Sequence, residues 1–323
     1  MVAIVIPTFN EEKFIERCLD SVRKQTYPFE KMDVMVVDGG SKDNTCGVVL
    51  AYSKRYPNVR LLENSQKIQS AAFNIGYKNS SAPILIRLDA HALYNDVYIE
   101  RCVNHIMEDP SVGNVGGIWD IQPQSTTIVS IANALLNSSR FGIGGASYRV
   151  GAEEGYVDTV PFGAFSRKVI EEVGGMREDL PRGEDNEYNH RIRKAGYKIL
   201  LDPQIVATCF ARDTFKDSVK QMYQNGISIG KLAEIDIDII NFRHLVPLLF
   251  VCMLIVGSVV TPFSKIAALF FLSVISLYLI VDIAASLISA RNKNYKCLMV
   301  LPILFPSVHI AYGLGSLKSI WGG

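Results

Sequence analysis

Ala82-Pro83-Ile84-Leu85-Ile86-Arg87-Leu88 runs straight into Asp89-Ala90-His91, and this stretch decides the fold class of the 323-residue chain. A short, continuously apolar run rich in Ile and Leu reads as a strand buried on both faces, as in a parallel sheet covered by helices. Ending it in Asp-x-His places two potential metal ligands at the rim of the sheet, where an open α/β fold keeps its ligand crevice. A second acidic cluster follows much later, at Gly183-Glu184-Asp185-Asn186-Glu187. The first site suits a metal-bound diphosphate. The second offers a carboxylate that can take a proton from an incoming nucleophile, given hydrogen-bond reach and a suitable pKa. Together they read as group transfer from a nucleotide-activated donor.

Working outward, Val/Ile-rich runs alternate with helical periods, which predicts strands at residues 2–6, 32–37, 59–62 and 84–88. After the first strand, Asn10-Glu11-Glu12 opens a helix with Asn10 as its expected N-cap, and Phe14, Ile15, Cys18, Leu19 and Val22 fall on its sheet-facing side. Asp38-Gly39-Gly40-Ser41 follows the second strand without a break. It is either a plain turn or a turn whose amides and carboxylate meet a ligand at the strand's carboxyl end. Gly142-Ile143-Gly144-Gly145 lacks both the Walker lysine and the dinucleotide spacing, so it reads as a mobile loop rather than a phosphate cradle.

The chain carries 49% hydrophobic residues and a net charge of +1, but neither is evenly spread. From Leu245 to the end, five basic residues face the single acidic Asp282, which leaves 28 basic and 31 acidic residues before it. A slightly acidic first part is thus followed by a basic, apolar tail. No Lys/Arg stripe with interleaved aromatics appears, which argues against a nucleic-acid partner. The cysteines at 18, 46, 102, 209, 252 and 297 show no CxxC spacing, so a reduced, cytosolic setting suits them better than a disulfide or zinc framework. Met1-Val2-Ala3-Ile4-Val5-Ile6-Pro7 reads as a first strand and not as a signal peptide.

The tail reads as membrane sequence, with three expected spans at 245–263, 266–290 and 298–317, each long enough for a hydrocarbon core of about 30 Å. Pro302 and Pro306 would kink the third, which then tilts or re-enters. Asp282 is costly within the second unless it faces a polar partner. Arg291, Lys293 and Lys296 crowd the loop after the second span, which puts that loop and the preceding domain on the cytoplasmic side of the inner membrane. The expected division is a catalytic domain over 1–230, an interfacial linker over 231–244 and a membrane domain over 245–323.

Val5-Ile6-Pro7-Thr8-Phe9-Asn10-Glu11-Glu12, Val36-Val37-Asp38-Gly39-Gly40-Ser41-Lys42-Asp43-Asn44-Thr45, Arg87-Leu88-Asp89-Ala90-His91 and Gly183-Glu184-Asp185-Asn186-Glu187-Tyr188-Asn189-His190-Arg191-Ile192 resemble, in that order, the motifs of family 2 glycosyltransferases. The resemblance covers roughly residues 1 to 230 and implies the GT-A, Rossmann-like nucleotide-sugar fold. It looks closest to bacterial enzymes that extend lipid-linked repeat units of exopolysaccharide, the succinoglycan type. Carried over by position, it implies that Asp38 contacts the nucleobase, that Asp89 belongs to the divalent-metal element and that Asp185 is the catalytic base.

One departure concerns the metal element, where the family's Asp-x-Asp ends here in His91. An imidazole suits Mn²⁺ better than Mg²⁺, so Mn²⁺ is the first expectation and Mg²⁺ the second. His91 could instead cap the following segment and leave Asp89 alone on the metal. Pro7, Thr8, Glu11 and Asn74 are expected in the donor pocket, although the small residues around Asn74 also allow close helix-sheet packing. Glu184, Gly163, Arg212 and Gln221 are expected on the acceptor side. Arg212 could equally be a surface ion pair, and Glu184 with Asp185 an acidic helix start.

Gln221-Met222-Tyr223-Gln224-Asn225 stands where processive synthases carry Gln-x-x-Arg-Trp, which implies addition of one sugar rather than a polymer. The resemblance thus implies transfer from a nucleotide sugar, UDP-hexose first, to a polyprenyl-diphosphate-linked saccharide, with inversion. Transfer to bare polyprenyl phosphate is the rival reading, and a non-catalytic membrane scaffold a further one.

Overall fold

The structure, a computed structural model, describes residues 1–291 and 293–321. Along the chain come β1 Val2–Thr8, α1 Ile15–Arg23, β2 Met32–Asp38, α2 Thr45–Arg55, β3 Val59–Glu63, α3 Gln69–Lys78, β4 Ile84–Arg87, β5 Ala92–Tyr94, α4 Tyr98–Glu108 and β6 Val112–Gln122. Then follow α5 Ile128–Asn137, the one-turn α6 Arg140–Ile143 and α7 Ser147–Val150, β7 Gly155–Tyr156, β8 Ala164–Ser166, α8 Arg167–Val173, α9 Glu184–Lys194 and β9 Lys198–Phe210. The remaining long helices are α10 Phe215–Ile235, α11 Phe242–Val260, α12 Lys265–Ala290 and α13 Leu301–Trp321. The chain divides into two compact units, residues 1–120 with 151–209, and residues 121–150 with 210–323.

The first unit is built on one sheet of order β3-β2-β1-β4-β8-β6-β9-β5, with β7 paired to β9. The first four strands are parallel, with Val2 opposite Met32 and Ile84, and β8 joins β4 antiparallel. Strand alternation sends Ile4, Ile6, Val34, Val36, Ile84 and Ile86 into one core, where Ile15, Cys18, Leu19, Val22, Val49, Tyr52, Ile99 and Cys102 of α1, α2 and α4 cover them. On the opposite face Phe73 of α3 meets Phe165 and Tyr188 edge to face. A Cβ on Gly76 would run into the Val5 side chain, so α3 lies directly on β1 and its small residues serve helix-sheet contact. Because β1 sits between β2 and β4, the carboxyl ends of these strands form a topological switch point, the usual ligand crevice of such sheets.

The four expected strands are present to within two residues at their ends. Asn10 is not the cap of α1, which begins at Ile15. It adopts φ 57°, a left-handed conformation that Asn tolerates, and its Oδ1 accepts the Lys42 amide while its own amide donates to Ser41 Oγ. The side chain therefore ties two loops at the strand ends together. Where a mobile loop was expected at 142–145, the chain forms α6 and then turns through Gly144, at φ 74°, toward α7.

In the second unit, Ala132 and Leu136 of α5, Met222 of α10 and Leu301, Leu304, Phe305 and Val308 of α13 share one apolar core. Two helical stretches, Phe242–Phe263 and Lys265–Ala290, are long and apolar enough to cross a bilayer. They are not ordinary core helices, since Leu249, Ile255, Val259, Phe263, Leu269, Phe270, Ile280 and Ile288 are exposed. Of the three expected spans, the first two coincide with these stretches among the described residues. α13 is one continuous helix, but Pro306, Ser307, His309, Ser316 and Lys318 dilute its apolarity, and its apolar face is packed within the unit. Asp282 does turn inward, at 1% exposure, with Ser286 one turn further on the same face.

Candidate active site

At the carboxyl ends of β1, β2 and β4, Pro7, Thr8, Phe9, Glu11, Gly39, Asn64, Lys67, Ile68, Gln69, Asp89 and His91 line an open cleft. Local hydrogen bonds fix the backbone of Asp89, which follows β4. Its amide donates to Tyr94 Oη at 2.5 Å, and its carbonyl accepts from Tyr94 Oη and Cys18 Sγ. Those two side chains are anchored in the main core, so the carboxylate is presented from rigid elements.

His91 Nδ1 lies 3.0 Å from both Asp89 Oδ1 and Glu11 Oε1. The neighbouring Asp89 charge, with hydrogen bonds to both carboxylates, raises the imidazole to about 10 against the opposing effect of burial. Burial opposes ionisation of Asp89, but His91 and Arg87 outweigh it and hold that carboxyl below its ordinary range. Two carboxylates thus converge on one cationic group at the cleft. Asp89 and Glu11 offer oxygen donors, and His91 could add a nitrogen donor to a divalent ion only after giving up its proton.

A second group of potential ligands, His105, Glu154 and Asp202, belongs to α4, the loop before β7 and β9. Arg101 already sits within it, with Nε 2.5 Å from the fully buried Asp202 Oδ2 and Nη2 4.0 Å from Glu154. His105 Nε2 adds a contact at 2.9 Å. An arginine at the centre makes this an internal ion-pair cluster that joins α4 to β9.

Asp185 stands in the first turn of α9, after Gly183, whose φ of 89° no β-carbon residue adopts readily. Glu184 and Glu187 share that turn, where the helix dipole favours anions. Arg87, 3% exposed at the end of β4, donates from Nη1 to Asp185 Oδ1 and from Nη2 to Gln69 Oε1. Its Nη2 also lies 3.3 Å from Glu184 Oε1. Burial pushes the Asp185 carboxyl up to about 6, with the Glu184 and Asp89 charges acting the same way and Arg87 pulling it back. A third of the Asp185 side chain remains exposed. The arrangement combines a cation-attracting cleft with a carboxylate whose proton affinity is suited to base chemistry.

Five expected residues, Pro7, Thr8, Glu11, Asp89 and His91, come together around the cleft. Asp38 is turned to its own turn, where its oxygens accept the Gly40 and Ser41 amides and the Ser41 hydroxyl, and Gly39 forms the cleft wall. Asn74 also faces elsewhere. Its amide donates to the Met176 carbonyl and to Glu178 Oε1, and its Oδ1 accepts the Met176 amide. The space beside Gly163 is filled by the Asn114 side chain, so its missing Cβ serves that contact. Arg212 is exposed and Gln221 half-buried, both in the second unit.

Asn64 and Lys67, singled out for no role, line the cleft as well, together with Gly39 of the turn after β2 and Gln69. Lys67 carries a signal only the backbone reveals, φ 61°, an uncommon conformation for a long side chain. Arg87 had a visible signal, a charge inside a continuously apolar strand.

Because Asn74 satisfies both the amide and the carbonyl of Met176, Asn74→Ala leaves two buried backbone groups unpaired. A loss of about 2–3 kcal/mol in unfolding free energy is expected, read by urea titration of the detergent-solubilised protein.

Residues 3–174 match the family model described as glycosyl transferase family 2. The chain is 29% identical to a dolichyl N-acetyl-alpha-D-glucosaminyl phosphate 3-beta-D-2,3-diacetamido-2,3-dideoxy-beta-D-glucuronosyltransferase of Methanococcus voltae, over 97% of this chain and 95% of that protein. It is 32% identical to the succinoglycan biosynthesis protein ExoA of Rhizobium meliloti, over 61% of this chain and 59% of the other. Among solved structures it resembles the mannosyltransferase PcManGT from Pyrobaculum calidifontis, in complex with GDP-Man and Mn²⁺. The TM-score is 0.68 at 19% identity, covering 99% of this chain and 87% of that one, a likeness of fold.

Proposed function

From the premise that the chain belongs to glycosyl transferase family 2, with the GT-A fold and nucleotide sugars as donors, we propose an inverting, metal-dependent, non-processive hexosyltransferase. It moves one sugar, from UDP-hexose in the first instance, to a polyprenyl-diphosphate-linked saccharide in extracellular polysaccharide synthesis. The observation that carries this reading is the pairing of two sites by one strand: β4 ends in Arg87, which holds Asp185, and Asp89 follows two residues later at the cleft.

The donor lies in the cleft against Pro7, Thr8, Gly39, Lys67 and Gln69. Asp89 and His91 would hold the divalent ion, which when bound offsets the charge of the departing nucleoside diphosphate. Lys67 adds a positive charge on the same wall. Asp185 accepts the proton of the acceptor hydroxyl as that oxygen attacks the anomeric carbon and the bond from that carbon to the phosphate oxygen breaks. Attack from the face opposite the leaving group inverts the configuration. A single base suffices, unlike the two carboxylates of a glycosidase.

Three observations support a lipid-borne acceptor. The two long helices of the second unit expose their apolar side chains, as spans in a cytoplasmic membrane would. The Methanococcus relative, matched over nearly the full length of both chains, is named for a dolichyl phosphate-linked acceptor. Arg291, Lys293 and Lys296 follow the second helix, which favours a cytoplasmic face for that loop.

The test is transfer of radiolabelled sugar into organic-extractable lipid by membranes containing the protein. Label on a polyprenyl-diphosphate saccharide, and none on bare polyprenyl phosphate, is the expected result. Label on bare polyprenyl phosphate alone replaces this acceptor with the rival one.

A further inference from the structure

A buried guanidinium is tolerated only when its donors are taken up, and those of Arg87 are taken up by the acid cluster. Nη1 goes to Asp185 Oδ1, and Nη2 to Gln69 Oε1 with Glu184 Oε1 nearby. Nε alone has no hydrogen-bond partner among the described residues. The backbone beneath is fixed on both sides, since the Arg87 amide donates to the Gly163 carbonyl at 3.0 Å and Arg87 pairs in register with Val5 of β1. Gln69, the first residue of α3, is at once a wall of the donor cleft and an acceptor for Arg87.

We propose that Arg87 is a positioning residue that sets Asp185 against the donor cleft. It occupies Oδ1, leaves Oδ2 for the acceptor hydroxyl, and takes its own bearing from Gln69. Three acceptors on one side chain require the planar fork of arginine, because a lysine ammonium delivers charge without that geometry. The inference rests on Asp185 being the base, as proposed above.

The experiment compares R87K, R87M, Q69A, D185N and the double variant R87M/D185N, in purified full-length protein. Nucleoside diphosphate release gives kcat and donor KM, and circular dichroism with thermal melting checks folding. Displacing a reacting group by about 1 Å costs on the order of 100-fold, so R87M is expected to lower kcat by about that factor and R87K by about tenfold. Donor KM stays within about threefold in both, and Q69A falls between wild type and R87M. Since Arg87 acts through Asp185, R87M/D185N is no slower than D185N alone, a result that a purely structural arginine would not give.

Wild-type kcat in R87M, an equal loss of kcat and donor affinity, or a further loss in the double variant overturns the inference. If R87M does not fold, R87K decides, and unchanged kcat there overturns it. A fully active D185N removes the base assignment and this inference with it. An inactive D185N beside a fully active R87M removes this inference alone.

Discussion

Asp185→Asn stops transfer while leaving the donor bound: kcat falls about 10³- to 10⁴-fold, at the upper end of what loss of a general base costs, and donor Kd changes by less than about threefold. Asparagine keeps an oxygen for the Arg87 fork, so the α9 start and its neighbours keep their arrangement. What it loses is the ability to take a proton. Steady-state kinetics with calorimetric donor binding reads the two effects separately. A rise in donor Kd matching the loss of kcat would assign Asp185 to binding instead. The same carboxyl gives the wild-type rate its acid limb. Burial pushes Asp185 up to about 6, so below that pH the base is mostly protonated and kcat falls, and above it kcat reaches a plateau. In Asp185→Asn the limb disappears from whatever rate remains.

Asp89→Asn carries the second large effect. The partly buried carboxylate is held ionised by His91 and Arg87 and faces the cleft with Glu11. Asparagine replaces an anionic oxygen ligand by a weaker neutral amide oxygen and removes one of the two carboxylate charges that attract a cation. Loss of one such ligand weakens metal affinity and transition-state charge stabilisation together, and kcat/KM is expected to drop about 10²- to 10³-fold. The Mn²⁺ activation curve shifts to higher concentration. In contrast to Asp185→Asn, donor affinity falls as well, because the diphosphate loses its counter-charge. An unchanged Mn²⁺ curve would place the metal elsewhere.

The parallel core was legible because its strands are apolar on both faces and its helices keep a regular period, so Val2–Thr8, Met32–Asp38 and Ile84–Arg87 stand out from the sequence. β5 and β6 were not. Ala92–Tyr94 is three residues long and owes its strand character to antiparallel pairing with β9, more than a hundred positions away. The cleft residues at strand ends were readable for the same reason as the strands, since backbone direction fixes where Thr8 and Asp89 point. Polar side chains with more than one choice of partner were harder. Asp38 turns to the backbone two and three residues on, a local competition, while Asn74 bonds the backbone of Met176, 102 positions away, which no spacing reveals.

Arg87 illustrates the opposite case. A charge at the end of an apolar strand announces a buried partner, yet Glu184, Asp185 and Gln69 come from α9 and α3 and could be identified only once those helices were placed. The apolar tail was readable by hydropathy for two helices. In α13 the pattern is mixed, since Leu301, Leu304, Phe305 and Val308 serve the packed core shared with α5 and α10.

The central claim is that Asp185 drives transfer of a sugar from a nucleotide to a lipid-linked saccharide. Nucleoside diphosphate release by the purified protein in detergent, with Mn²⁺ and a panel of nucleotide sugars, tests it most directly. Wild type and Asp185→Asn are compared with and without a polyprenyl-diphosphate saccharide. The expected result is release from one donor that depends on the acceptor and vanishes in the variant. Equal release by both proteins, or none from any donor with acceptor present, would contradict it.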